Sequence, residues 1–207
     1  MTSMCTRNRS IVAVLTALAV WNLPGSSVIV SAEQKPEVQR LFQAGDYEQA
    51  VEASRDGDPA SSYLAAQALL RMDRTADAVA EFTRLRATDQ PVWKLVAESG
   101  EALAANDAGR AIELARNATE ADGGNAFAFY QLGLAASKAG DWGTATSALN
   151  RSVELKPDFA YAHYYAALAS QRQRQLPKAA QHFEAFLRLA PDAPERQAVQ
   201  AIMRTLK

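Results

Sequence analysis

The chain has 207 residues, 48% of them apolar and 22% charged, and its 22 basic and 23 acidic side chains leave a formal charge of -1. That is enough apolar mass for one continuous core, and no polar or proline-rich run is long enough to suggest a disordered domain. The near-neutral balance offers no electrostatic footprint for nucleic acid or an acidic membrane face, which excludes both as expected partners.

Residues 1–32 read as an export signal. Arg7 and Arg9 make a basic start, Ile11 to Leu23 an apolar stretch, Pro24-Gly25 a breaker, and Val30-Ser31-Ala32 a small-residue cleavage site ahead of Glu33. A retained anchor is the competing reading. A spanning helix needs ~20 apolar residues, and this run is interrupted by Asn22, Pro24 and Gly25, so no membrane insertion is expected after cleavage. Cys5 precedes the apolar stretch, where it cannot be a lipoprotein acceptor. Cleavage takes Arg7 and Arg9 from the 22 basic residues and none from the 23 acidic ones, leaving 20 against 23, a charge of -3. The remaining chain is an exported protein, periplasmic or secreted, with neither disulfide nor thiolate nucleophile.

From residue 34 onward the sequence repeats itself. Ala78, Ala111, Ala145 and Ala179 fall 33, 34 and 34 residues apart, and 126–159 laid over 160–193 without a gap places Tyr130 on Tyr164, Leu134 on Leu168 and Pro157 on Pro191. Residues 92–125 and 59–91 continue the register backwards, and 34–58 is a truncated end unit recognisable by Gly45-Asp46-Tyr47, in phase with Gly140-Asp141-Trp142. Each unit holds two helix-length amphipathic segments, so the spacing predicts an all-α solenoid of antiparallel helix pairs whose apolar faces are buried only against one another. Small residues such as Gly133, Ala167, Ala145 and Ala179 mark where two helices cross. Leu132, Leu149, Phe183 and Leu189 fill the space between units, and Pro157 and Pro191 end each pair. After the last unit, residues 194–207 carry Val199, Ile202, Met203 and Leu206 at helical spacing and read as a capping helix, with Glu195, Arg196 and Lys207 facing water.

With Phe129, Leu132, Gly133, Ala136, Gly140-Asp141-Trp142, Ala145, Leu155 and Pro157 in phase, the chain resembles the tetratricopeptide repeat (TPR) family over roughly residues 34–193. The resemblance implies a right-handed superhelix whose first helices line a concave face that takes a peptide or partner protein. The places that contact ligands in that family hold Tyr63, Gln67, Leu70 and Arg71; Trp93, Val96 and Leu103; Phe127, Tyr130, Leu134 and Lys138; and Tyr161, Tyr164, Leu168, Gln171 and Arg172. The face so defined is aromatic, with Arg71, Lys138 and Arg172 at its edge. Helical residues at these spacings also touch the neighbouring first helix, so packing between repeats stays open beside ligand contact for Trp93, Phe127, Tyr130 and Tyr164. The lysines and asparagines with which some family members clamp a C-terminal carboxylate are absent, since the fifth-place series reads Tyr63, Val96, Tyr130, Tyr164.

Chemistry leaves almost no trace. His163 and His182 belong to no zinc hydrolase, phosphate-loop or nucleophile-elbow motif. His163 takes the phase of Phe129 and reads as a packed ring, His182 as a solvated one, and no metal or cofactor site is expected. Asn117-Ala118-Thr119 and Asn150-Arg151-Ser152 fit the glycosylation pattern but fall inside predicted helices. The residues therefore support an exported, non-catalytic adaptor that binds a partner in its groove. A structural subunit of an envelope complex, or self-association, using the convex face or the ends is the alternative.

Overall fold

The computed structural model describes residues 37–55 and 57–206; residues 1–32, read as an export signal, and Lys207 lie outside them. Among the described residues the structure is helical, with no strand. Its helices run α1 (37–44), α2 (Tyr47–Ala53), α3 (Pro59–Arg71), α4 (Thr75–Arg86), α5 (Pro91–Ala104), α6 (Ala108–Ala121), α7 (Ala126–Ala139), α8 (Trp142–Leu155), α9 (Ala160–Arg172), α10 (Leu176–Leu189) and α11 (Arg196–Thr205). The odd-numbered helices from α1 to α9 form an inner row and the even-numbered ones an outer row, a TPR-like solenoid. No described helix is long and apolar enough to cross a membrane.

Local chemistry sets the punctuation. Asp58, Asp107 and Asp141 each accept a bond from the amide three residues on, and Asn125 accepts from Phe127 and Ala128, so four helix starts have their exposed amides answered. Every turn within a pair passes through the left-handed region, at Gly45, Asp73, Asn106, Gly140 and Arg174. Only Gly45 and Gly140 adopt it freely; at Arg174 the Cβ makes it cost about 1 kcal/mol or more. The crossings are as tight as the small residues imply. A Cβ on Gly133 would overlap the Leu149 side chain, and one on Gly100 would stand 2.5 Å from the Phe82 ring.

The solenoid does not stay open. Its N-terminal pair reaches the last one: Gln39 Nε2 donates to Asp158 O at 3.1 Å and Oδ2 at 3.0 Å, and Ala160 N, in the buried first turn of α9, donates to Gln43 Oε1 at 2.6 Å. Phe42 stacks on Tyr161 with ring centroids 4.9 Å apart, the Tyr47 and Tyr161 hydroxyls meet at 3.2 Å, and Pro194 closes over Gly45, where a Cβ would come within 2.6 Å of its ring. Arg71 Nη1 then pairs with Glu195 Oε1 at 2.5 Å, and Tyr161 donates to Glu195 Oε2 at 2.8 Å. Glu195 was expected to face water. Its side chain instead keeps only 19% of its exposure, because ring closure brings the start of the cap onto α3. The rest of the cap packs as its apolar spacing requires, Val199 buried and Ile202, Met203 and Leu206 against the core.

Candidate functional site: the mouth of a closed ring

Closure decides which inner-face residues are available. Tyr63, Tyr130 and Tyr161 retain 0 to 1% exposure, and Trp93, Phe127 and Gln67 7 to 8%. All six positions, expected along a ligand groove, are buried, with only Gln67, Trp93 and Phe127 reaching the pockets at the two ends. The reason is geometric: in a closed ring the inner positions of opposite repeats face one another. Tyr63 of α3 meets Phe127 and Tyr130 of α7 at 5.6 and 6.4 Å between ring centroids, and Tyr130 meets Phe159 at 4.8 Å. A polar chain threads this plug, Tyr63 donating to Gln131 Oε1 at 2.8 Å, Gln131 to Ser99 Oγ at 3.1 Å and Ser99 to Ala111 O at 2.8 Å. Burial pushes the Tyr63 and Tyr130 phenols well above their ordinary range, so both stay neutral. Tyr164 is half-buried and packs among Tyr161 and Tyr165 of its own helix and Phe183 and Phe186 of α10, so it belongs to the packing of the last pair.

The plug leaves an opening at each end of the inner helices. At their amino ends lies a mixed-charge pocket of about 420 Å³, walled by Pro59, Trp93 and Phe127, where Lys156 is answered by Asp158 at 3.3 Å. At their carboxyl ends lies a second pocket of about 490 Å³ with a different character. Leu70, Leu103, Leu134 and Leu168, one from each of α3, α5, α7 and α9, form its wall together with Gln67, Gly100, Ser137, Tyr165 and Trp142. Arg71, Lys138 and Arg172 stand around it, and no acidic side chain lines it.

The three cations are not equivalent. Arg71 is held inside by Glu195, donates to the Tyr165 hydroxyl at 3.2 Å and lies 4.0 Å above the Tyr161 ring, so its charge serves closure. Lys138 and Arg172 are exposed at the helix ends. Arg172 covers the Trp142 ring at 5.4 Å, and among the described residues neither has a carboxylate partner. The mouth thus gathers Gln67, Leu70, Arg71, Leu103, Leu134, Lys138, Leu168 and Arg172 from the expected set. Trp142 and Tyr165 were missed, the former because the aromatic of a Gly-Asp-aromatic turn reads as a turn residue. His182, expected to be solvated, is half-buried and bonded to His163 and Asn150.

Among the described residues no group of three or more His, Cys, Asp or Glu side chains is placed to hold a metal. No curated protein matches the sequence. In fold the chain is similar to TTC0263, a TPR protein of Thermus thermophilus, at 16% identity over 85% of this chain and 98% of that one with a TM-score of 0.59. It is also similar to YrrB, a TPR protein described as having an unusual peptide-binding site, at 19% identity over 86% and 87% with a TM-score of 0.52. The first TPR of Spaghetti (RPAP3), solved with a bound HSP90 peptide, aligns at 19% identity over 59% and 94% with a TM-score of 0.53. Residues 130–194 match the family model of the tetratricopeptide repeat. A TPR solenoid is therefore the fold, and its last two pairs carry the family's sequence signature.

Proposed function

We propose that this chain is a protein-interaction module that receives a partner segment end-on at the carboxyl-end mouth of its ring. The observation that carries the reading is the lining of that mouth: four leucines and Trp142 beneath Lys138 and Arg172, with no acidic residue to answer them. Such a site suits a large apolar side chain flanked by carboxylates, the apolar part giving contact area and the charges orientation. The peptide-binding TPR folds to which the chain is similar support the same class of role. Elsewhere the surface is poor in anchors, Leu176 being the one large apolar side chain that stands exposed among the described residues. That favours the mouth over the outer face and over a structural role built on it.

Leu134→Asp and Leu168→Asp should abolish capture of the partner from the native compartment while leaving the melting curve within a few degrees of the parent, because both side chains are already partly solvated. Capture that survives both changes would move the site to another face. Export belongs to the same proposal and rests on the pattern of residues 1–32; a mature species beginning at Glu33 is expected on N-terminal sequencing, and one still carrying Trp21 would replace export by anchoring.

A further inference from the structure

Two residues of the carboxyl-end mouth, Arg71 and Tyr165, belong both to its wall and to the seam that closes the ring. Arg71 stands on α3 and Tyr165 on α9, with α5 and α7 between them in the inner row. In an open solenoid each repeat touches only its neighbours, so the bond from Arg71 Nη2 to the Tyr165 hydroxyl at 3.2 Å exists only while the two ends meet. We infer that ring closure and partner binding at this mouth form one coupled equilibrium. Gln43 and Glu195, neither of which lines the mouth, then act as positioning residues for it. The inference rests on the end-on reading above and extends it to how that site is regulated.

Arg71 is where the coupling is made. Its guanidinium carbon lies 4.0 Å from the Tyr161 ring centre, 5.6 Å from that of Phe42 and 6.0 Å from those of Tyr47 and Tyr165, so the first pair, α3 and α9 surround one cation. Glu195, at the start of the cap, supplies the counter-charge and accepts from Tyr161, whose hydroxyl meets that of Tyr47. If the seam parts, Arg71 loses Glu195 and the rings of the other elements together. Tyr165 and Leu168 of α9 then draw away from Gln67 and Leu70 of α3, and the hollow loses one side of its wall.

A site present in only one of two states binds with an affinity scaled by the population of that state, and its ligand shifts the equilibrium by the same factor in return. Weakening closure from either side of the seam therefore weakens binding, and a bound segment holds the seam shut. The seam reaches far from the mouth: Ala160 N, which donates to Gln43 Oε1 at 2.6 Å, lies at the opposite end of α9.

The test is calorimetry with a blocked pentapeptide, a phenylalanine between two pairs of aspartates, at a temperature where every variant is folded by its melting curve. Gln43→Leu and Glu195→Gln should each weaken binding by about threefold or more, and Glu52→Gln, which breaks only the exposed pair with Arg55, should leave it unchanged. Leu134→Asp should abolish it. In Glu195→Gln, where the seam opens most readily, saturating peptide should slow hydrogen exchange of the Ala160 amide by at least about threefold. Binding that is lost in Leu134→Asp but kept within about twofold of the parent in both seam variants overturns the coupling and leaves the mouth standing, as does Ala160 exchange indifferent to the peptide. No binding by the parent chain, or binding indifferent to Leu134→Asp, overturns the end-on reading and the coupling with it.

Discussion

Removing the carboxylate of Glu195 tests whether the ring is closed. Arg71 and Glu195 keep 18% and 19% of their side-chain exposure, so this is a mostly buried pair, unlike the Glu52–Arg55 pair at 64% and 70%. Breaking a buried pair by deleting one partner costs about 3–5 kcal/mol, because the other charge stays desolvated and unanswered. Here Arg71 keeps the Tyr165 hydroxyl at 3.2 Å and the Tyr161 ring at 4.0 Å, and Tyr161 keeps the Tyr47 hydroxyl at 3.2 Å. These offset part of the loss, so Glu195→Ala should destabilise by about 2–4 kcal/mol, read as a drop of roughly 5–15 °C in Tm for a chain of this size. The double variant Arg71→Met, Glu195→Gln, which removes both charges, should recover part of that loss, and a double-mutant cycle in urea measures the coupling. A loss below about 0.5 kcal/mol for Glu195→Ala, no larger than for Glu52→Ala, would mean that the pair is solvated and the two ends of the solenoid do not meet.

Three further outcomes follow from the packing and the titration of the histidines. Gly133→Leu should cost about 1–3 kcal/mol or more in chemical denaturation, since even the first carbon of the new side chain would overlap Leu149; an unchanged midpoint would contradict the α7–α8 crossing. Tyr130→Ala should cost about 3–5 kcal/mol, because the ring is fully enclosed by Tyr63, Phe159 and Tyr165; intact stability with lost binding would instead describe an open groove. As pH falls from 6.5 to about 4 the unfolded chain binds a proton at His182 before the folded one does, so stability declines across that window and the contribution is intact above it. At about 1.36 kcal/mol per pH unit the full effect would be roughly 3 kcal/mol, which solvent around the half-buried ring reduces to about 1 kcal/mol. His182→Ala should show a shallower decline between pH 7 and pH 4.5, and identical slopes would refute the assignment.

What could be read in the sequence is what repeats along it. The phase of Ala111, Ala145 and Ala179 gives the second helices, Gly133 marks a real crossing, and the Gly-Asp turns fall where the backbone enters the left-handed region at Gly45 and Gly140. A period describes each unit against its neighbour and says nothing about unit one against unit five. The contacts that close the ring join residues such as Gln39 and Asp158, 119 positions apart, or Tyr47 and Tyr161, 114 apart, and they are single events with no counterpart in other repeats. Without them Tyr63 and Tyr161 read as groove residues and Tyr130 stays open between groove and packing, whereas all three are buried. The family's ligand-contacting phase is occupied as expected, but in a closed ring that phase points at itself. His182 was misplaced for a related reason, since its partner His163 lies on the other helix of the pair and neither residue belongs to the consensus.

Closure also changes what kind of partner fits. An open solenoid offers a long groove in which an extended segment touches several repeats in turn, whereas this ring fills that path with Phe42, Tyr63, Phe127, Tyr130 and Phe159. A mouth of about 490 Å³ admits an anchor of one or two large side chains, so contact is concentrated on few residues. Its walls are helix ends fixed by the aromatic plug below them and by the Arg71–Glu195 pair beside them, which leaves little side-chain freedom to lose on binding apart from Lys138 and Arg172. For a partner received there as proposed, affinity would depend on how well one apolar anchor fills a preformed hollow, while the two unanswered cations at the edge would govern how fast and in which orientation an acidic segment arrives. On the proposed reading, stability and recognition reside in separate side chains of the same inner row, with Tyr63, Phe127, Tyr130 and Tyr161 in the amino-terminal half of their helices and Leu70, Leu134 and Leu168 one or two turns further on.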